Sequence, residues 1–208
     1  MTQKQFSIFS WITAATLPFL GLLAWGTDVS WDVTALNAYQ WFPLFGLIAW
    51  LTMASHYLTG YVLLTSKNLV RPNGYKKITG YLVLISLLLH PLILAVVQYN
   101  NQQGIPPASF INYVGSGLSL AVMLGSFSLL VFLSFEFFDR MKNNKKVLRY
   151  WTAISISQSL AMTLVWVHGL RLGSQLTEGW FKIAWFVVGL FLLPCFYVIH
   201  RADFKKNN

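Results

Sequence analysis

Two histidines, His90 and His168, lie inside long apolar runs of this chain. An ionisable side chain in hydrocarbon is costly, so one retained there reads first as function. The two runs are the third and fifth apolar segments, and as membrane-spanning helices they would travel in the same direction. Facing imidazoles on neighbouring helices are what a six-coordinate haem iron takes as axial ligands. The alternative is a pair of buried rings that hydrogen-bond adjacent helices.

Depth favours a pair. The third segment begins near Lys76, and His90 follows about 14 residues later, which is about 21 Å of helix at 1.5 Å per residue. The fifth begins near Tyr150, and His168 lies about 18 residues along it. Both histidines are therefore expected in the outer half of the bilayer, with helix tilt supplying slack. Thr79, Val83 and Ser86 share the side of His90, and Ser157 and Ala161 share that of His168. Such small residues leave room for a flat macrocycle or let two helices pack closely. Pro91 frees a backbone carbonyl and can kink its helix beside His90.

Three other ionisable positions bear on the site. Arg171, three residues after His168, either pairs with a haem propionate or snorkels to water from the outer interface. His56, midway along the second segment and deeper toward the cytoplasm, is a quinone or haem contact or else a buried polar contact. His200 abuts Arg201 at the end of the last segment and reads as interfacial. The single cysteine, Cys195, has no disulfide partner, and no C-x-x-C-H motif exists to attach a haem covalently. No Gly-rich nucleotide motif is present, so a flavin would have to come from another polypeptide.

The elements that must position these residues follow from composition. Only 10% of the 208 residues are charged and 56% are hydrophobic, with 16 Phe, 9 Trp and 9 Tyr, which is the range of a polytopic membrane protein. The net charge of +9 sits in short loops rather than in a basic helix, which argues for topology and against nucleic-acid binding. Six segments approach the roughly 20 residues needed to cross a bilayer. They run Phe6–Trp25, Trp41–Thr65, Ile78–Tyr99, Ile111–Phe138, Tyr150–Leu172 and Trp180–Ile199, and together they make residues 1–208 a single membrane domain. Each must be helical, because an open strand would leave backbone groups unpaired in lipid. The first segment, preceded by Lys4 and lacking a small-x-small cleavage site before Asp28, reads as a retained span.

Orientation comes from the loops. Lys67, Arg71, Lys76 and Lys77 lie in one; Arg140, Lys142, Lys145, Lys146 and Arg149 lie in another; Arg201, Lys205 and Lys206 lie in the tail. The alternate connections are poor in Lys and Arg, so the positive-inside rule places both termini in the cytoplasm. Trp25, Trp31, Trp41, Tyr99 and Trp180 mark the external ends as an aromatic belt. The expectation is an all-α integral membrane protein with a six-helix bundle, placed in a bacterial inner (plasma) membrane.

A resemblance now appears. Lys76-Lys77-Ile78-Thr79-Gly80, leading to Leu88-Leu89-His90-Pro91-Leu92, resembles the third span of the ferric-reductase-like transmembrane family. Tyr150-Trp151, leading to Val167-His168-Gly169, resembles its fifth span. The resemblance implies six helices, haem b and electron transfer, as the membrane component of an oxidoreductase. Two-haem members carry a second histidine earlier on each of these helices, where this chain has Lys76 and Ile154 or Ser155. The resemblance thus implies one outer haem b ligated by His90 and His168. Membrane quinol or a separate flavoprotein is the expected electron donor. Two rival functions remain open at this point: a haem-free structural or assembly subunit, and a small transporter using His56 and the helix break at Pro91.

Overall fold

Apolar runs flanked by polar punctuation become long helices here, and the ends are fixed by local chemistry. In the computed structural model, which describes residues 1–207 other than 35, 67 and 142 and side chains through residue 204, the chain is all helix and connections. Lys67 and Lys142, and the side chains of Lys205 and Lys206, all counted in the charge pattern, lie outside that description. Helix α1 spans Gln3–Asp28, α2 Ala38–Thr65, α3 Tyr75–Asn100, α4 Ala108–Val114 and α5 Ser119–Arg140. A short α6 covers Lys145–Arg149, followed by α7 (Trp151–Leu172) and α8 (Trp180–Asn207). Six of these, α1, α2, α3, α5, α7 and α8, are long and apolar enough to cross a membrane. The protein is an all-α integral membrane protein.

Capping sets two starts. Thr2 with Gln5, and Asn37 with Gln40, form reciprocal capping boxes that satisfy free N–H groups at the starts of α1 and α2. Gly74 turns the chain into α3 at φ +72°, a left-handed conformation open to glycine without penalty.

The fourth span differs from the sequence expectation of Ile111–Phe138. Gly115, at φ 86° and ψ 154°, breaks the run, leaving Ile111 to Val114 in the separate helix α4. That backbone region is essentially closed to residues with a Cβ, so the glycine ends one helix before the next begins. The span proper runs Ser116–Arg140, its first turn a 3-10 turn over Ser116–Leu118. Other boundaries move outward: α1 extends to Asp28, and α8 continues through the polar tail to Asn207. Polar residues end an apolar run without ending a helix.

The spanning helices form two groups. In one, α1 and α3 pack on α2; in the other, α5 packs on α7; α8 lies against both α2 and α7 and joins the groups. Helix α2 is central, with 61% of its apolar window buried against 11% for α3. The join is aromatic. Trp50 of α2 stacks on Trp185 of α8 with centroids 4.0 Å apart, and its Nε1–H donates to the Met162 carbonyl of α7 at 3.2 Å. Trp166 and Trp185 exchange Nε1–H bonds with each other's carbonyls, both at 3.2 Å.

The two ends of the bundle are tied differently. At the end holding both termini, Gln3 exchanges bonds with the Val70 backbone, and Lys76 pairs with Asp139 at 2.6 Å. At the other end, Asp28 accepts from Ser174 and Gln175, and Asn101 donates to the Tyr39 hydroxyl.

Candidate functional site

His90 comes from α3 in one group and His168 from α7 in the other, and their rings meet between the groups. The centroids are 6.5 Å apart and the ring planes cross at 86°. Each ring is anchored in the same manner. His90 Nδ1–H donates to the Phe42 carbonyl of α2 at 2.7 Å, and His168 Nδ1–H donates to the Ala121 carbonyl of α5, also at 2.7 Å. A carbonyl oxygen can only accept, so both rings carry their proton on Nδ1 and keep a lone pair on Nε2.

A glycine stands one helical turn beyond each carbonyl. Gly46 follows Phe42 by four residues, and Gly125 follows Ala121 by four. A Cβ on Gly46 would lie 2.9 Å from Cε1 and Nδ1 of His90; one on Gly125 would lie 2.6 Å from the same atoms of His168. Real Cβ atoms do not approach this closely, so each ring reaches its carbonyl only because its neighbour is glycine. The setting of carbonyl, glycine and imidazole is built twice, once on α2 with α3 and once on α5 with α7.

The two free Nε2 lone pairs are donors of the kind a haem iron would take. Metal-bound imidazoles commonly donate the other ring N–H to a carbonyl, which fixes the tautomer and raises ligand basicity.

Both rings line a cavity of about 320 Å³ between the two helix groups, at the lower end of the range for small-molecule and cofactor sites. Its walls are mainly apolar, including Leu47, Met53, Leu129 and Phe132, with Trp50 and Trp185 also contributing. Tyr39 and Tyr113 stack at one end with centroids 5.3 Å apart. Burial, and then the neighbouring Tyr39, push the Tyr113 phenol above its ordinary range.

The remaining sequence candidates fall elsewhere. Arg171 is exposed at the end of α7 and does not line the cavity, although the next residue, Leu172, does. His56 is held in the α2/α3 seam, its Nε2 2.6 Å from Thr79 Oγ1. Because the Thr79 hydroxyl donates to the Tyr75 carbonyl, His56 Nε2–H must be the donor to Thr79. Thr79 and Ser86, two of the small residues beside His90, are buried among the groups of α3 that close onto other helices rather than lining the cavity. Lys76, at an inner position of the two-haem pattern, is engaged with Asp139. Ser155, which with Ile154 is a candidate for the other, lies 3.4 Å from His200 Nδ1.

His200, expected at the interface, is partly exposed near the end of α8 and also makes contacts within the bundle. Its Nε2 is 3.0 Å from Ser159 Oγ, and Ser159 in turn donates to the Tyr57 hydroxyl at 3.1 Å, linking α8, α7 and α2. Cys195 is a buried free thiol donating to the Phe191 carbonyl of its own helix.

Sequence reasoning missed the two glycines. Their signal was faint: an isolated glycine in a spanning helix usually serves close helix packing. Their significance needs the partner helix, which spacing along one segment does not reveal. No family model, no curated protein and no solved structure matches this chain.

Proposed function

We propose that this protein is a membrane-bound b-type cytochrome in which His90 and His168 are the axial ligands of one haem b, serving electron transfer. The observation that carries the reading is the repeated anchoring of two imidazoles 6.5 Å apart, each by a backbone carbonyl and each against a glycine. A haem b held there supplies a one-electron ferric–ferrous couple.

The chain's own residues do the rest. The Phe42 and Ala121 carbonyls orient the rings and make each Nε2 a better donor. Gly46 and Gly125 give the rings the space to take that orientation. Apolar walls closed by Trp50 and Trp185 keep water away and lower the local dielectric, which tunes redox potential. With His90 and His168 both bound to it, the iron would be closed to dioxygen by the chain's own side chains.

One haem per chain is the proposed complement, because Lys76, His56 and His200 are all engaged in contacts with other side chains. The distribution of Lys and Arg supports cytoplasmic termini and a site near the external face; a bacterial inner membrane is the proposed residence. Quinol or a separate flavoprotein is the proposed donor, in keeping with the ferric-reductase-like resemblance, and an external metal ion or protein is the proposed acceptor. Arg171 remains a propionate partner only through the reach of its long side chain to the rim.

The test is a reduced-minus-oxidised visible spectrum of the purified full chain, with haem quantified by pyridine haemochrome. A low-spin b-type spectrum is expected. A haem-free assembly subunit or a transporter would give no such bands.

A further inference from the structure

Helix α4 forms part of the cavity wall and is lightly held. Its residues Phe110, Tyr113 and Val114 line the space between the two helix groups. The helix has seven residues, too few for stability in isolation, and its start has no side-chain cap. Ser109 is its one buried residue, and Tyr113 is 45% exposed. Among the described residues, no hydrogen bond from residues 105–114 reaches a spanning helix; the backbone N–H groups of Ser109 and Ile111 bond locally to Ile105 and Pro107. What holds α4 in place is packing, with Tyr113 stacked on Tyr39 and edge-on to Phe42.

The junction of α4 with α3 works against closure. Gln98 in the last turn of α3 and Ser109 in the first turn of α4 are both fully buried, and α4 packs on α3. Neither the Ser109 hydroxyl nor either atom of the Gln98 carboxamide has a hydrogen-bond partner among the described residues. A buried polar atom without a bond has given up water and gained nothing, so lifting α4 relieves a cost that closing imposes. Water is at hand, because Gln98 lies about 33 Å along α3 from Lys76 by helical rise, the far edge of a bilayer core. Gly104 and Gly115 bracket the segment at positive φ, and a Cβ on either would meet nothing within 4 Å. Nothing packed around these two positions stops the chain from turning there.

We propose that α4 is a flap hinged at Gly104 and Gly115, whose lifting opens the ring-pair cavity to the aqueous side opposite the termini and is the port through which that cavity is loaded. Stacked rings close the flap, and the unbonded Gln98 and Ser109 groups keep closure shallow. Lifting carries Phe110, Tyr113 and Val114 out of the wall, an opening wider than any gap between packed helices. Elements that must move are drawn from the weakly held part of a fold, and α4 is such an element. That the cargo is haem rests on the cytochrome reading above; the movement of α4 does not.

The experiment uses the full chain in phosphatidylcholine nanodiscs, where both faces meet water, with a membrane-impermeant maleimide as the probe. The native chain has one thiol, the buried Cys195, and serves as the blank. Ser109→Cys places a thiol beneath α4, and Asn112→Cys places one on its exposed side. Asn112→Cys should label as a free thiol does, and Ser109→Cys should label fully but more slowly. Adding Gln98→Met to Ser109→Cys keeps the side-chain length and removes the unbonded amide, so closure is favoured and labelling should slow about tenfold. Haemin added to the haem-free chain should enter the Gln98→Met variant more slowly by a similar factor. No labelling of Ser109→Cys, or labelling unchanged or quickened by Gln98→Met, overturns the flap; slowed labelling with unchanged haemin entry overturns the port. Circular dichroism checks folding, and hydrogen exchange at the α4 amides of the native chain reads the same opening should Ser109→Cys not fold. A flap that opens in a chain taking up no haemin sinks the cytochrome reading alone; haemin bound beneath a flap that never opens sinks this inference alone.

Discussion

Gly125 and His168 stand so close that a Cβ on the glycine would lie 2.6 Å from Cε1 and Nδ1 of the imidazole. The ring is therefore held between a backbone carbonyl and a hole that only glycine provides. Gly125→Ala should push the ring away from the Ala121 carbonyl, at an overpacking cost of about 1–3 kcal/mol. Gly46→Ala, where the approach to His90 is 2.9 Å, should do the same more mildly. Thermal unfolding followed alongside the visible spectrum would show a lower midpoint and altered haem bands, larger for Gly125→Ala. An unchanged spectrum in both variants would remove the glycines from the site.

His90→Gly and His168→Gly should each abolish the low-spin b-type spectrum, and added imidazole should restore part of it by filling the space left. Rescue separates a lost ligand from a lost fold. His200→Ala should keep the spectrum but lower stability by about 0.5–1.5 kcal/mol, because Ser159 keeps its bond to Tyr57 and loses only the partly buried ring. Full haem content with wild-type bands in both glycine variants would refute the ligand assignment.

Stoichiometry gives a separate check. Pyridine haemochrome against protein mass should yield one haem per chain. Lys76 pairs with Asp139, and His56 and His200 bond Thr79 and Ser159. A value of two would require His56 or His200 to leave those partners and become ligands.

Access should be asymmetric across the membrane. His90 lies about 21 Å along α3 from Lys76, by helical rise, so with the Lys76 end in the cytoplasm, as proposed, a reductant confined to that face stands far from the ring pair. Proteoliposomes of defined orientation, given a membrane-impermeant reductant on one side at a time, should show fast reduction from the external side. A lipid-soluble quinol should act from either side. Fast reduction by the impermeant reagent from the cytoplasmic face, with no partner protein or quinone present, would reverse the proposed placement.

Much of this protein was legible from residue order because the bilayer constrains it so strongly. A run of about 20 apolar residues in lipid has little choice but to be a helix, and the spans of α2, α3, α7 and α8 follow from that alone. The pairing of His90 with His168 was also readable, since equal depth on helices of one direction is a matter of counting. What counting could not reach was anything that depends on which face meets which neighbour. Gly115 split the fourth apolar run because its backbone adopts φ 86°, a conformation invisible in hydropathy. Thr79 and Ser86 could mean space beside a cofactor or close helix packing; both are buried, Thr79 serves His56, and the space at the rings comes from Gly46 and Gly125 on the facing helices. The place of His200 at the end of an apolar run was readable, but not that α7 brings Ser155 and Ser159 to its two ring nitrogens. Hydrophobicity and length act along the chain and survive in one dimension; the hydrogen bonds and steric clearances that aim a ring act between helices, and only packing brings those partners together.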